Sequence, residues 1–225
     1  MVDASLNDPI CSLNDSLTLE NIMQVFENAV EVNGLFESEV KTVLGRIGGI
    51  AVASIVFDGG EDGVELTEGK LAKIKDFAGF ALAYDLPFVV FDNVKGIKAT
   101  MCANNSRVLK LTAEYLEIFD AINTAKIAVV YKKAIGLGYS LFASKSVGFD
   151  YTCAFVNAKI ALFDSVQGAQ IELGDEKADK ESLAKRYADE NADPIHAAKN
   201  GYLDAVIEPQ FVKQYIIASL QMLAR

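Results

Sequence analysis

The sequence predicts an α/β fold in which a parallel sheet is covered by helices on both sides. Apolar runs of strand length alternate with amphipathic helical stretches, the pattern that crossover connections produce. The run Ile127-Ala128-Val129-Val130-Tyr131 is β-branched and apolar throughout, as a strand buried on both faces should be. A chain of 225 residues with 51% hydrophobic content can bury a full core as one domain.

Taken in order, residues 1–15 are polar, contain Pro9 and several Asn and Asp, and read as an N-terminal tail, leaving 16–225 as the domain. Thr18 is placed to cap a helix in which Leu19, Ile22, Met23, Phe26, Ala29 and Val30 recur at helical spacing, with Asn33-Gly34 as its left-handed stop. Val40 to Ile47 and Ile50 to Phe57 flank Gly48-Gly49, a strong hairpin signal. The Gly- and Asp-rich loop Asp58 to Gly63 leads to a long helix from about Thr67 to Tyr84. Pro87 to Phe91 reads as a short buried strand, Asp92 to Cys102 as irregular, and Val108 to Ile122 as a further helix.

The stretch Lys126 to Lys145 follows as the centre of the chain. Its strand is succeeded by a turn holding Gly136 and Gly138, and then by Tyr139 to Ala143 with helical spacing. The first amides of a helix lack internal partners and lie at the positive end of its dipole, so such a turn suits an anion or a developing oxyanion. The glycines alone equally permit a plain strand-to-helix turn without a ligand. Phe149 to Phe155 and Lys159 to Phe163 are two more strand candidates, and Asp164 to Ala169 is another turn before a helix. The highly charged run Glu172 to Glu190 has only a thin apolar stripe and reads as a solvated or interface-lying helix.

Composition excludes several function classes. A net charge of −10, from 31 acidic and 21 basic residues, disfavours nucleic-acid or anionic-membrane partners. Cys11, Cys102 and Cys153 are far apart and form no CxxC pair, which fits reduced thiols in a cytoplasmic protein better than a zinc site or a disulfide framework. Neither a signal segment nor an apolar run of membrane-spanning length is expected. Acid-base chemistry is sparse. His196 is the only histidine, and on a short amphipathic helix it reads as structural rather than catalytic. No carboxylates stand at metal-ligand spacing, so catalysis, if present, falls to backbone amides or substrate groups.

Several motifs in one order then carry a resemblance. The segment Tyr131 to Lys145 (YKKAIGLGYSLFASK) resembles the R-K-A-Y-G-G-A-Y-x-x-M-x-S-K segment of biotin-dependent acyl-CoA carboxyltransferases. Ala192-Asp193-Pro194 followed by Ala197 to Pro209 is similar to that family's N-P-x-x-A-A-x-x-G-Y-I-D-x-V-I-x-P. Gly45 to Gly49 resembles its G-x-R-x-x-G hairpin, and Gln167-Gly168-Ala169 its E-G-A turn.

The resemblance implies a crotonase-like (ClpP/crotonase) spiral of ββα units, here the second, biotin-side domain of subunits that carry two. It implies carboxyl transfer between carboxybiotin on a separate carrier protein and an acyl-CoA, in the carboxylase or decarboxylase direction, without a metal. Carried over, the biotin-side oxyanion hole lies at Leu137 and Gly138, and Gly96, Gly136, Tyr139, Gly168 and Ala169 are expected to bind substrate, with Lys95, Lys98 and Lys133 as available cations or plain surface lysines. Because the family carries Ala at the position of Gly138, Gly138→Ala is expected to be nearly silent. The implied partners are a biotin carboxyl carrier protein, a chain supplying the first carboxyltransferase domain, and further copies of this chain in a trimer or hexamer. Apolar faces on the leading and terminal helices also point to an oligomer.

The chain departs from the pattern at Asn93-Val94-Lys95-Gly96-Ile97, where the family has D-V-P-G-F, at Ser106 and Arg107 in place of a glycine pair, and at Gln167 in place of Glu. A non-catalytic assembly module and a stand-alone crotonase-type enzyme such as a hydratase therefore stand as alternatives to a carboxyltransferase component.

Overall fold

The computed structural model describes residues 18–98, 106–173 and 180–224. Its framework is one sheet whose main path begins with β1 (Glu27–Val32), β2 (Val40–Ile47) and β3 (Ile50–Phe57), joined antiparallel. It continues through β5 (Phe88–Ile97), β6 (Lys126–Ile135), β7 (Tyr151–Phe155) and β9 (Ala205–Ile207), all parallel. Two short strands, β4 (Val64–Leu66) and β8 (Lys159–Ala161), pair with the far ends of β5 and β6. The central strand is buried on both faces. Ala128, Val130 and Ala134 join one apolar cluster, and Ile127, Val129 and Tyr131 join the other.

On the first face lie α2 (Glu68–Ala83) and α3 (Ser106–Ala121), which contribute Leu71, Ile74, Phe77, Tyr115 and Phe119. On the second lie α1 (Leu19–Met23) and the terminal helix Val212–Met222, which contribute Ile22, Val212, Ile216 and Leu220. Thr67 caps α2, its hydroxyl accepting from the Lys70 amide at 3.2 Å. The terminal helix thus turns Val212, Ile216 and Leu220 onto this chain's own sheet and leaves Tyr215 and Met222 exposed.

Four expectations need correction. The leading helix stops at Met23, and 27–32 is an edge strand. Asn28 (φ 55°) introduces the irregularity between Glu27 and Val30, and Asn33 (φ 54°) ends a strand rather than a helix. Pairing with β2 outweighs a helical periodicity whose last members, Ala29 and Val30, are exposed. The segment from Asp92 is not irregular at its start, because β5 continues to Ile97 by pairing with β4 and β6. Asp164 to Ala169 is no turn; α5 (Ser165–Leu173) begins there, with the Asp164 carboxylate accepting from the Val166 amide at 3.2 Å. The charged helix is α6 (Lys180–Asn191), followed by α7 (Pro194–Lys199). The N-terminal tail, Cys11 and Cys102 lie outside the described residues.

The β2–β3 hairpin turns on Gly48 (φ 60°) and Gly49 (φ 78°), a pair of left-handed positions that glycine fills without strain. Both amides are held by the Glu27 carboxylate, at 3.2 and 3.0 Å, and Lys213 of the terminal helix reaches the same carboxylate at 3.0 Å. Burial pushes the Glu27 carboxyl up, but the Gly49 amide, Lys213 and the Gly48 amide outweigh it and hold it below the usual glutamate range. Glu27→Ala is expected to cost about 1–2 kcal/mol at neutral pH, since hydrogen bonds to a charged group are lost. A depressed acid contributes stability above its unfolded pKa, so the difference from wild type should shrink as pH falls below about 4.5. Urea unfolding at pH 7 and pH 3 checks both statements.

Candidate functional site

At the carboxyl end of β6 the chain passes through Gly136 into α4 (Leu137–Phe142). Gly136 has φ 55° and ψ −117°, a conformation open to glycine, and a Cβ there would also lie 3.1 Å from the Leu162 carbonyl. The Gly136 amide donates to the Ala161 carbonyl at 2.9 Å, which ties the turn to β8. As first-turn positions, the Leu137 and Gly138 amides have no partner within the helix. The Leu137 side chain is exposed and Gly138 is buried.

Gly138 is close-packed. A Cβ on it would lie 2.7 Å from the Val94 carbonyl oxygen and 2.8 Å from the Val94 Cβ, so β5 backbone would have to move. The expectation that alanine is silent at this position is overturned.

Beside the turn lies a cleft of about 330 Å³, lined by Gly136, Tyr139 and Ser140, by Ile160 to Leu162, and by Asn191, His196, Ala197 and Tyr202. Tyr139 and Tyr202 meet edge to face with ring centroids 6.3 Å apart, and the Tyr139 hydroxyl donates to the Tyr202 carbonyl at 2.9 Å. Burial, with smaller contributions from Tyr202 and Asp204, pushes the Tyr139 phenol up to about 12, so it remains a neutral donor. Lys145 is ion-paired with Asp204, and the other Asp204 oxygen accepts from the Thr152 amide at 2.9 Å. The glycine-turn segment and the Gly201-Tyr202-Leu203-Asp204 segment, distant in sequence, are therefore clamped together at both ends of α4.

Of the residues expected at the site, Gly136 and Tyr139 line this cleft, and Leu137 and Gly138 belong to the adjoining turn. Gly96 does not line it; it lies on β5 opposite Glu65 of β4. Gly168 and Ala169 do not line it either. A Cβ on Gly168 would come within 2.2 Å of the Tyr187 ring, so this glycine admits the tyrosine of α6 rather than a ligand. The three lysines do not gather at the cleft. Lys95 and Lys98 border a separate polar cavity of about 410 Å³ that also holds Glu39, Asp58, Asp62 and Glu65. There Lys95 lies 3.6 Å from Glu65, while the Lys133 ammonium donates to the Asp62 carbonyl at 3.2 Å.

The sequence reading missed Ile160 to Leu162 and Tyr202 as lining residues. The available signal was Tyr202 itself, an exposed aromatic within a motif already singled out. Among the described residues no group of His, Cys, Asp and Glu could hold a metal ion, and no helix is long and apolar enough to cross a membrane.

The family model described as "Carboxyl transferase domain" matches residues 22–225. The methylmalonyl-CoA decarboxylase subunit alpha of Veillonella parvula is 30% identical over 152 residues, 68% of this chain and 30% of that protein. The propionyl-CoA carboxylase beta chain of Saccharopolyspora erythraea is 26% identical over 206 residues, covering 87% and 38% respectively. A crystal structure of transcarboxylase 12S, described as a hexamer assembly with methylmalonyl-coenzyme A and methylmalonic acid bound, superposes with a TM-score of 0.81 at 21% identity. The alignment covers 100% of this chain and 45% of that one. The geranyl-CoA carboxylase beta subunit of P. aeruginosa also superposes with a TM-score of 0.81, at 14% identity over 95% of this chain and 42% of that one. The crotonase-like class expected from the motifs is the observed fold, and the chain spans less than half the length of the relatives it matches.

Proposed function

Because the chain belongs to the carboxyl transferase domain family, we propose that it is the biotin-side component of an acyl-CoA carboxyltransferase or decarboxylase. The observation that carries this reading is the clamped pair of segments, in which Tyr139 to Tyr202 and Lys145 to Asp204 hold the Gly136–Gly138 turn against an open cleft. The cleft fits the ring system of biotin in its apolar Ile160 to Leu162 wall and in its position beside two first-turn amides. Carrier-borne biotin, when bound, supplies the carboxyl group to be moved.

This chain's part is to bind, orient and stabilise charge. The Leu137 and Gly138 amides donate to the ring's urea oxygen, where negative charge develops as the carboxyl group departs, and fixed donors of this kind need no reorganisation. Tyr139 and Tyr202 hold the ring, and Leu162 helps exclude water. Biotin, if bound here, would supply both the base that takes the acyl-CoA α-proton and the carbon dioxide that the enolate so formed captures, so this chain would need no acid-base side chain of its own, in keeping with the scarcity of such groups. The acyl-CoA and its own oxyanion donors are assigned to a unit of the first-domain type, because the relatives extend beyond the region that this chain matches. The proposed working assembly is a trimer or a hexamer.

Affinity purification followed by carboxyl transfer from a carboxylated biotin carrier to propionyl-CoA tests the reading. Transfer is expected only when a first-domain-type chain is present. A stable oligomer of this chain alone that ignores biotin, the carrier and such a partner would instead establish the assembly-module alternative.

A further inference from the structure

His196 lies on α7 with an exposed side chain that lines the cleft opposite the glycine turn. Its backbone is fixed. The amide donates to the Asp193 carbonyl at 3.0 Å, and its carbonyl accepts from the Asn200 side chain at 3.0 Å. The imidazole makes no hydrogen bond to a described residue. The other described lining residues are glycine, tyrosine, serine, asparagine and aliphatics, so among the described lining residues His196 is the one whose side chain becomes a cation on taking up a proton. An anion entering a half-apolar cleft requires either a counter-charge or several donors.

We infer that His196 makes the cleft selective for the carboxylated form of its ligand: the imidazolium hydrogen-bonds the carboxylate that distinguishes an N-carboxylated cyclic urea from the free urea. The inference rests on the reading above and names a specificity residue that the reading does not use. Tyr139 of α4 and Tyr202 of the following loop face the same cleft, and burial keeps the Tyr139 phenol neutral. The charged groups on α7 itself are Asp193, whose carboxylate accepts from the Ile195 amide at 2.8 Å, and Lys199 in the last turn. Asp204, beyond Tyr202, is paired with Lys145. None of these groups lines the cleft apart from the two tyrosines.

The chain has one histidine, so a single imidazole resonance reports the site. The full chain is titrated with 2-imidazolidinone and with its N-carboxymethyl derivative at pH 6 and pH 8, following the His196 ring and the Leu137 and Gly138 amides by NMR. Both probes are expected to move the amides, while only the carboxylated probe moves the imidazole and raises its titration midpoint. The carboxylated probe should bind about tenfold more tightly at pH 6 than at pH 8. His196→Gln should abolish that preference, so that the variant binds each probe equally at pH 6 and pH 8. Amides that respond to the carboxylated probe while the imidazole does not, with equal affinity at both pH values, would overturn the inference and leave the cleft reading intact. Amides that respond to neither probe would overturn both. Equal weakening of both probes in His196→Gln, with a lowered melting temperature, would make the residue structural and also overturn it.

Discussion

Gly138→Pro is expected to lower carboxyl transfer in the reconstituted complex by about a hundredfold to a thousandfold, roughly 3 to 4 kcal/mol of transition-state stabilisation, because it deletes one of the two oxyanion donors proposed above. Proline is tolerated in the first turn of a helix, so loss of the donor need not break α4. The close approach of Val94 means that any Cβ at this position is costly, and Gly138→Ala alone should lose about 1–3 kcal/mol of stability through overpacking. Alanine is therefore the informative control. Both variants place a Cβ against Val94 but only alanine keeps the N–H, so at equal folded fraction by thermal unfolding the difference in transfer between them sets an upper bound on the amide's contribution, the proline ring adding its own bulk. Equal transfer by well-folded alanine and proline variants would remove the backbone-amide mechanism and leave the assembly-module reading in its place.

Asp92→Val should raise stability at neutral pH by about 1–3 kcal/mol, the cost of burying an unpartnered polar group. Asp92 is completely buried on β5, and among the described residues neither carboxylate oxygen has a hydrogen-bond partner. Burial pushes its carboxyl well above the ordinary aspartate value of 3.8, and the nearby Val94 amide offsets only part of that. The native state then holds a proton that the unfolded chain releases, so stability should fall as pH rises above 3.8, by up to about 1.4 kcal/mol per pH unit until the buried acid ionises. Valine suits a strand and removes both the cost and the slope. Urea unfolding between pH 4 and pH 8 reads both quantities. A variant that is less stable than wild type at pH 7, or that keeps the slope, would show that Asp92 is satisfied in solution by a group such as a buried water.

The parts of the fold that local chemistry determines were legible in the sequence. The hairpin on Gly48-Gly49, the capped helix after Thr67 and the doubly buried Ile127–Tyr131 stood where expected, because turn glycines, a cap and unbroken apolar runs act within a few residues. The errors arose where distant pairing decided the outcome. Residues 27–32 follow β2 despite their helical spacing, and β5 extends through Asp92 because β4 and β6 flank it. The turn at the heart of the site was legible for the same local reason as the hairpin. Its surroundings were not, since Tyr202 and His196 reach the cleft only through the folding of α7 beside β8, and Gly168 acquires its role from Tyr187 on another helix.

The Glu27 clamp has a consequence for the order in which the molecule is made. The hairpin amides meet their carboxylate from within the same run of strands, whereas Lys213 and the Ile217 side chain packed at Gly48 belong to the helix Val212–Met222, far along the chain. A nascent chain therefore carries the Ile22, Val43 and Val52 face of its sheet open until the helix Val212–Met222 has been made. Contacts of such long sequence separation form late and leave apolar surface exposed in the interval. This face of the sheet is where a chaperone would find the growing chain.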